Sequence, residues 1–442
     1  MERLKMRLKS AWKGISMATY FLVMMFGIGA WIAVNGLWVE LPIIVQEIPE
    51  SWSLPSYLTV IIQLANIGPL AFTLGNKFLP RFVKEIPVTY ALVVIGVLAS
   101  ALLAHFWKET IYIAGADRSA ALLILAFFLS MVDCTSSVAF IPYMSRFPMV
   151  YLSPYFLGEG LSGLLPSLVA LAQGVGEGAS NERCVAQPVY NSSSNSTSGS
   201  WGPGPRFTPK VFFWFLSAMM ACCGLAFLAL NTLQVTKKQQ VKEREYDVTT
   251  SDMHELQEIS KTEAQSTSDI QVTDNILTTR QNVFLLVILA IVNGLSNGII
   301  PAIQSYACIP YSYYIYHLTL TLSNIANPIT CLMFPLLRVK SIPVITFLCG
   351  VYCVMCTYII IIASQSPDVL LRCGDTGAAL IVVISVSSVA MVTYCKVAIS
   401  SLMRNQGRKK LLWFGISTQL GSCIGALSIF APVNVYYMFK QY

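Results

Sequence analysis

The sequence predicts an all-α membrane protein with eleven transmembrane helices in two related sets of six and five. Charged residues make up only 12% of the 442 residues and apolar residues 55%, whereas an ordinary soluble domain is about 25% charged. Eleven apolar stretches of roughly 18 to 25 residues follow one another, each long enough to cross a bilayer. Short strings in the first set recur in the second. A soluble enzyme, a nucleic-acid binder and a disordered scaffold are therefore excluded.

The apolar stretches define the spans and the segments between them. A basic segment, 1–16, precedes the first span, and a polar segment rich in Ser, Thr and Gln, 234–280, follows the sixth as a flexible linker. The two halves are then 17–233 and 281–442. In chain order the spans lie at 17–39, 57–76, 87–107, 119–141, 149–174, 211–233, 282–303, 313–337, 342–363, 377–399 and 411–435.

Lys and Arg residues predict the orientation of the chain. With the N-terminus inside, 21 of them fall in segments that face the cytosol and 6 in segments that face outside. Cytoplasmic loops carry an excess of Lys and Arg, so the N-terminus is predicted inside. An odd number of spans then places the C-terminus outside.

The long loop 175–209 carries two features of an extracellular segment. Asn191 and Asn195 each begin an Asn-X-Ser/Thr glycosylation acceptor. Cys184 in this loop and Cys373 in another predicted outer loop lie in polar surroundings. An oxidising compartment permits a disulfide between them. We therefore expect two glycans and a disulfide that joins the halves.

An internal repeat relates the two halves. Parallel six-span repeats are the plan of the major facilitator architecture, which binds its substrate between the halves near the bilayer midplane. A chain that lacks the twelfth helix fits the nucleoside-transporter variant of that plan. Three strings recur in corresponding spans: Val34-Asn35-Gly36-Leu37 as Val292-Asn293-Gly294-Leu295, Leu64-Ala65-Asn66-Ile67 as Leu322-Ser323-Asn324-Ile325, and Ser136-Ser137-Val138-Ala139 as Ser387-Ser388-Val389-Ala390.

Amides dominate the polar residues within the spans. A polar side chain in hydrocarbon is costly and usually faces a cavity, although a single amide often just joins two helices. Amides together with aromatic rings suit a flat, hydrogen-bonding, mostly uncharged heteroaromatic such as a nucleoside, a purine or a flavin. The candidate substrate-binding residues are Trp31, Asn35, Gln63, Asn66, Asp133, Ser136, Tyr143, Glu159, Asn293, Asn297, Gln304 and Asn324.

Ionisable residues within the spans are few. Asp133 and Glu159 are the deep acids, and either could carry a coupling proton or make a helix-packing hydrogen bond. Lys396 lies near the predicted end of span 10, where it could reach the membrane interface. No metal-ligand pattern is present, and neither a metal nor a cofactor is expected.

Interpretations outside the transporter class have less support. The chain has no phosphate-binding GxxxxGK[ST] loop and no HExxH motif. Gly160-Leu161-Ser162-Gly163 faintly resembles a serine-protease element, but a nucleophilic Ser needs a positioned base and the chain has only three His. A cell-surface receptor that does not transport stays open, although it does not need a duplicated, amide-rich interior.

Specific strings carry a family resemblance that covers nearly all the spans. The chain is similar to the animal riboflavin transporter family, solute carrier family 52. The stretch 61–69 resembles its third, epithelial branch. The strings are Asn35-Gly36-Leu37-Trp38-Val39-Glu40-Leu41-Pro42, Val132-Asp133-Cys134-Thr135-Ser136-Ser137, Gly158-Glu159-Gly160-Leu161-Ser162-Gly163-Leu164-Leu165-Pro166, Leu171-Ala172-Gln173-Gly174 and Ile61-Ile62-Gln63-Leu64-Ala65-Asn66-Ile67-Gly68-Pro69.

The resemblance implies uptake of riboflavin across the plasma membrane without Na⁺ coupling. The expected partners are therefore riboflavin and the lipid bilayer, with no nucleic acid. A nucleoside or nucleobase carrier is the alternative within the transporter class, and a receptor is the alternative outside it.

Overall fold

A computed structural model of the chain describes residues 16–79, 83–113, 115–174, 205–240, 278–333, 339, 341–372, 375–404 and 408–441. Within these ranges the chain is almost entirely helical. Two short antiparallel strands, β1 (Ile111–Ile113) and β2 (Ala116–Arg118), form a hairpin between the third and fourth spans. Gly115 has φ +86° in its turn, a conformation that favours glycine.

The helices follow the predicted spans in order. Spans 1, 2, 5 and 7 consist of consecutive segments, and the other spans are single helices. The bounds are Met17–Ile28 and Ile32–Ile44 (span 1), Ser51–Ser53, Leu54–Ala65 and Ile67–Phe78 (span 2), Glu85–Phe106 (span 3), Ala120–Met144 (span 4), Met149–Tyr151 and Leu152–Gln173 (span 5), Pro209–Thr232 (span 6), Thr279–Gly294, Leu295–Ile299 and Ile300–Cys308 (span 7), Tyr313–Met333 (span 8), Ile342–Ser364 (span 9), Asp375–Arg404 (span 10) and Arg408–Asn434 (span 11). A short helix, Gln234–Lys237, follows span 6.

Most of these helices are long and apolar enough to cross a membrane. In the described part of the chain, nine helices are long and apolar enough to span a bilayer, and the number is ten if the bent pair of span 1 is counted as one span. Tyr313–Met333 is helical over 21 residues but is not among them, because His317, Asn324 and Asn327 make it more polar. The count of eleven spans and the orientation of the termini stay predictions.

Span 1 is broken, whereas the sequence predicted one helix over 17–39. Met17–Ile28 ends at Gly29, and Ile32–Ile44 begins three residues later at an angle of 50°. The segment between them contains no proline, so side chains from other spans must satisfy the backbone groups that the break releases. The second segment also continues five residues beyond the predicted end.

Two proline residues account for irregular backbone in spans 2 and 7. Pro69 follows the junction at Asn66 that divides span 2, and Pro301 follows the single π-turn Leu295–Ile299 in span 7. A proline inside a helix removes one backbone donor and crowds the carbonyl four residues earlier. Isolated π-turns are common at functional sites. Both irregular points lie beside amides that the sequence marks as candidates.

The same helix pairs pack in both halves. Span 1 packs on span 5 as span 7 packs on span 11, span 2 packs on span 4 as span 8 packs on span 10, and span 3 packs on span 4 as span 9 packs on span 10. This correspondence is what a duplicated six-span unit predicts. Between the halves, span 2 contacts span 11 and span 5 contacts span 8. Span 2 also contacts span 7, and span 8 also contacts span 1, so spans 1, 2, 5, 7, 8 and 11 all take part in the contact between the halves.

Glycines bring spans 7 and 11 into close contact. Gly294 and Gly298, spaced four apart, face Gly421 and Gly425 with the same spacing. A Cβ on Gly298 would overlap backbone atoms of Gly425, and one on Gly425 would overlap those of Gly294. Small residues at this spacing let two membrane helices approach closely. The crossing brings Ser422 of span 11 next to Asn297 of span 7.

Candidate functional site

At one end of the bundle the two halves are sealed together by a tryptophan. Trp52, just before span 2, is 4% exposed. Its backbone carbonyl accepts a hydrogen bond from Ser305 Oγ of span 7 at 2.6 Å, and its Nε1 donates to Tyr313 OH of span 8 at 3.3 Å. Its ring lies edge-on to Tyr306 with centroids 5.9 Å apart. The predicted topology places this closed end outside.

Asn35 lies in a polar cluster of the N-terminal half, deeper in the bundle than Trp52. Its Nδ2 lies 3.4 Å from Ser162 Oγ of span 5. A Cβ on Gly163 would lie 3.4 Å from the same amide nitrogen and 3.7 Å from the backbone oxygen of Asn324 in span 8. Trp31 lies one turn before Asn35, whose backbone N–H donates to the Trp31 carbonyl at 3.1 Å. Spans 1, 5 and 8 thus meet at polar groups, of which Asn35 and Asn324 are half-buried and Ser162 is fully buried.

Asn297 and Lys396 form a second polar cluster, in the C-terminal half. Lys396 Nζ donates to Ser296 Oγ at 2.8 Å and to Asn297 Oδ1 at 3.3 Å. Asn297 Nδ2 donates to Ser422 Oγ of span 11 at 3.0 Å. The π-turn in span 7 exposes Asn297, and in the described residues no carboxylate lies within 4 Å of Lys396. The ammonium is therefore held by neutral oxygens and is free of a counter-ion there.

The sequence predicted a different role for Lys396 and for Asn293. Span 10 continues to Arg404, so Lys396 lies two turns inside the helix rather than near its end. Asn293 is fully buried behind Asn297, donating from Nδ2 to the Leu289 carbonyl at 2.8 Å and accepting from Asn297 at 3.3 Å. Its amide is already engaged, so Asn293 positions Asn297. The sequence did not identify Lys396 as a candidate site residue, because a long lysine side chain can reach either the membrane interface or a polar cavity.

Gln63 and Asn66 connect the two halves from span 2. Asn66 Nδ2 donates to Gln63 Oε1 at 3.3 Å and to Gln419 Oε1 of span 11 at 3.1 Å. Both span 2 residues are half-buried and Gln419 is exposed. They lie where Pro69 interrupts the helix. The two predicted amides therefore lie at the boundary between the halves, as a shared site requires.

Asp133 and Ser136 satisfy the backbone at the break in span 1. Asp133 Oδ2 accepts a hydrogen bond from the Val34 backbone nitrogen at 2.8 Å. Ser136 Oγ donates to the Ala30 carbonyl at 2.8 Å. Both side chains are fully buried, and Val34 is in the first turn of the second segment, where helix donors lack partners. Span 4 therefore holds the bent helix that carries Asn35 and Trp31.

Glu159 lies on the face of span 5 that approaches span 8. It is half-buried and close enough to Cys331 of span 8 to interact with it electrostatically. The neighbouring glycine also faces span 8, since a Cβ on Gly160 would lie 3.5 Å from Pro328. Of the two deep acids, Glu159 is the one that borders the space between the halves.

Two predicted site residues lie elsewhere. Tyr143 is fully buried in a cluster of aromatic rings, with Phe227 and Phe26 centroids 4.8 Å and 5.6 Å away. Gln304 is buried between spans 7 and 10, where its Nε2 donates to Ser385 Oγ at 3.1 Å. Both side chains are enclosed by packed protein. Asn324, by contrast, is half-buried beside Gly163.

Some predicted features lie outside the described residues. They are the glycosylation acceptors Asn191 and Asn195 and the proposed disulfide partners Cys184 and Cys373. In the part of the chain that is described, no group of three or more His, Cys, Asp or Glu side chains could hold a metal ion. The chemistry of the site is therefore that of amides, one ammonium and one bordering carboxylate, which suits reversible binding of a polar ring.

Comparison with known proteins gives a family over nearly the whole chain. The family model described as "Solute carrier family 52, riboflavin transporter" matches residues 15–441. "Riboflavin transporter 2" of Salmo salar is 42% identical, with 97% of this chain and 98% of that protein covered. "Solute carrier family 52, riboflavin transporter, member 3" of Homo sapiens is 38% identical over 96% of this chain and 97% of that protein. The relatives are transporters, as the sequence predicted, and not enzymes.

Solved structures of low identity share the fold. A POT family transporter, PepTSo, matches with a TM-score of 0.57 at 11% identity, covering 95% of this chain and 90% of that one. A D-xylose-proton symporter matches with a TM-score of 0.54 at 14% identity, covering 95% of this chain and 91% of that one. The nucleoside transporter NupG matches with a TM-score of 0.53 at 10% identity, with the same shares of the two chains covered. The predicted facilitator-like fold is confirmed. The chain belongs to solute carrier family 52, the riboflavin transporter family.

Proposed function

We propose that this protein carries riboflavin into cells across the plasma membrane by alternating access, without Na⁺ coupling. The observation that carries the proposal is that amides meet across the two halves, where Asn66 of span 2 donates to Gln419 of span 11. We take Asn35 in one half and Asn297 with Lys396 in the other to be the two sides of one polar region there. Its position between the halves is where facilitator-like carriers bind substrate. The family relation supplies the substrate.

The groups of this region match the edge of a flavin ring. That edge presents two carbonyl oxygens on either side of one N–H. Lys396 and the amide nitrogen of Asn35 offer donors to the carbonyls, and the amide oxygen of Asn35 or Asn297 accepts the N–H. Trp31 presents an aromatic ring one turn from Asn35, on which the flavin ring can stack. The amides of Gln63 and Asn66 remain for the hydroxyls of the ribityl chain.

Alternating access follows from the closure at Trp52. In this structure the halves are sealed at that end, whereas the exposed Asn297 and Gln419 lie on the other side of the seal. Transport then requires that the contacts of Trp52 with Ser305 and Tyr313 break while the halves rock about the bound ligand.

Uptake of radiolabelled riboflavin into cells that express the chain tests the proposal. We expect saturable uptake above mock-transfected cells, unchanged when choline replaces Na⁺. Excess lumiflavin, which shares the ring, should suppress uptake, and excess uridine should not. Suppression by uridine alone would favour a nucleoside carrier. Binding without accumulation would favour a receptor.

A further inference from the structure

Two oppositely charged side chains lie within the spans, one in each half. Glu159 is seven residues after Leu152, where the main helix of span 5 begins, and Lys396 is eight residues before Arg404, where span 10 ends. Each is therefore about two helical turns from a helix end. Both are half-buried, in segments where charged residues are rare and usually have a functional role.

Contacts with span 8 place the two side chains at the same depth. Glu159 is close enough to Cys331 of span 8 to interact with it electrostatically. Four residues before Cys331, Asn327 Oδ1 accepts a hydrogen bond from Thr393 Oγ1 of span 10 at 2.9 Å. Spans 8 and 10 run in the same direction, because span 9 lies between them in the chain. About one turn beyond this hydrogen bond, span 8 therefore reaches Cys331 and span 10 reaches Lys396.

This depth lies toward the end of the bundle away from Trp52. Tyr313, at the start of span 8, contacts Trp52, whereas Cys331 is two residues before Met333, where that helix ends. The helical rise from Tyr313 to Cys331 is about 27 Å. In alternating access, one end of the bundle closes as the other opens. The two charges therefore lie near the end that must close when the Trp52 seal opens.

Neither charge has an oppositely charged partner in this structure. Lys396 Nζ donates to the neutral oxygens of Ser296 and Asn297. Within the described ranges, no carboxylate lies within 4 Å of Lys396, and no Lys, Arg or His nitrogen lies within 4 Å of the Glu159 carboxylate. A charge removed from water without a partner is costly. Both side chains therefore gain if the two halves bring them together.

We propose that Glu159 and Lys396 form an ion pair between the halves when the end opposite Trp52 closes. Rocking of the halves opens the Trp52 seal and brings spans 5 and 10 together at the other end. The role of this pair in transport rests on the proposed function. Once riboflavin leaves, Lys396 exchanges the ligand carbonyl for the Glu159 carboxylate, and the empty carrier returns to the state that is open at the Trp52 end. Glu159 is then a positioning residue that controls this return.

Carbodiimide cross-linking of the wild-type protein in liposomes tests the pairing without any substrate. Dicyclohexylcarbodiimide enters the membrane and activates a carboxyl group. A contacting lysine, after losing a proton, attacks the activated carbonyl, so that an amide forms and the reagent leaves as a urea. We expect mass spectrometry of a digest to detect the Glu159–Lys396 amide and to lose it in Glu159→Gln and in Lys396→Arg. A water-soluble carbodiimide on the exposed pair Lys108–Glu47, whose charged atoms are 2.6 Å apart, is the positive control.

Uptake kinetics test the consequence for transport. Removing one partner of a buried ion pair is costly, whereas replacing both partners by neutral residues is often tolerated. Glu159→Gln should therefore lower Vmax about tenfold or more with little change in KM. Adding Lys396→Met should raise Vmax again, while KM stays at the value of the Lys396→Met single variant. Glu47→Gln, which breaks an exposed ion pair, is the matched control and should keep the wild-type Vmax.

The two measurements separate this inference from the proposed function. A Glu159–Lys396 amide in a protein that takes up no riboflavin would retain the ion pair and reject the transport proposal. Glu159 recovered unmodified or as an N-acylurea, with no amide to Lys396 and with the Lys108–Glu47 amide present, would overturn the pair. Uptake by the wild type would then leave the proposed function standing. A double variant no faster than Glu159→Gln at equal surface expression would overturn the role of the pair in the return step.

Discussion

Asp133 of span 4 accepts a hydrogen bond from the backbone nitrogen of Val34 at 2.8 Å, in the first helical turn after the break that divides span 1. Asn35, the next residue, presents its amide to the polar region between the halves. A carboxylate on one helix thus fixes the position of a candidate binding amide on another. This contact makes Asp133 a positioning residue, and it leaves Glu159 as the deep acid that borders the space between the halves.

Asp133→Ala should destabilise the protein, because it leaves the buried Val34 N–H without a partner at a cost of about 1–3 kcal/mol. Asp133→Asn keeps an acceptor oxygen and should restore most of the loss. Thermal unfolding in detergent and surface biotinylation measure both. Cys134→Ala, a truncation of the buried neighbour, is the control. Equal stability of Asp133→Ala and the wild type would exclude the capping role.

If protons couple to transport, Glu159→Gln rather than Asp133→Asn should flatten uptake between about pH 5.5 and 8.

Lys396→Met should raise the KM for riboflavin while surface protein stays near the wild-type amount. A hydrogen bond from a charged donor contributes about 1.5–3 kcal/mol, which corresponds to about 10- to 150-fold in affinity. Lys396→Arg keeps the charge and should lose less. The control is Lys77→Met, which removes an exposed ammonium at the end of span 2. An unchanged KM in Lys396→Met would remove this lysine from the site.

Gly425→Ala should destabilise the crossing of spans 7 and 11, because the added Cβ overlaps the backbone of Gly294. Overpacking of this kind costs about 1–3 kcal/mol, and it also displaces Ser422 from Asn297. The same substitution at Gly415, on the same helix with nothing within 4 Å of the added Cβ, should be harmless. Thermal unfolding of the two variants side by side decides. The close crossing is wrong if both unfold at the wild-type temperature.

Enzymatic deglycosylation should lower the apparent mass of the wild type if loop 175–209 faces outside. The combined variant Asn191→Gln, Asn195→Gln should show no shift, because both acceptors are gone. Each single variant should shift by an intermediate amount, which counts the glycans. A wild type without any shift would leave the orientation supported by the Lys and Arg distribution alone.

The fold was largely predictable because its signals are local. Apolar runs set the helices to within a few residues, and the repeated Asn-Gly strings indicated two related halves. The break in span 1 was not predictable in the same way. No proline marks it, and the groups that stabilise it, Asp133 and Ser136, lie about a hundred residues away. Such a bend depends on residues that are distant in the sequence and close in the fold, so the hydrophobic periodicity of the helix itself does not reveal it.

The site was predictable by residue type more than by role. Asn66 donates to Gln419 of the other half, and the binding roles of Asn35 and Asn297 stay predictions. Tyr143 and Gln304 carry the same chemistry but face packed protein, because helical spacing gives a residue's face only relative to its own helix. Lys396 was assigned to the interface since the predicted helix ended too early. Contacts between distant helices decide these roles.

The central claim is that the chain itself carries riboflavin through the region between Asn35 and Lys396. Uptake of radiolabelled riboflavin into liposomes that contain only the purified protein tests it most directly. We expect saturable accumulation in wild-type vesicles up to the external concentration, competed by lumiflavin. The KM should rise at least tenfold in Asn35→Ala and Lys396→Met vesicles of equal protein content. Accumulation no greater than in protein-free liposomes, with correctly folded protein in the membrane, would contradict the account.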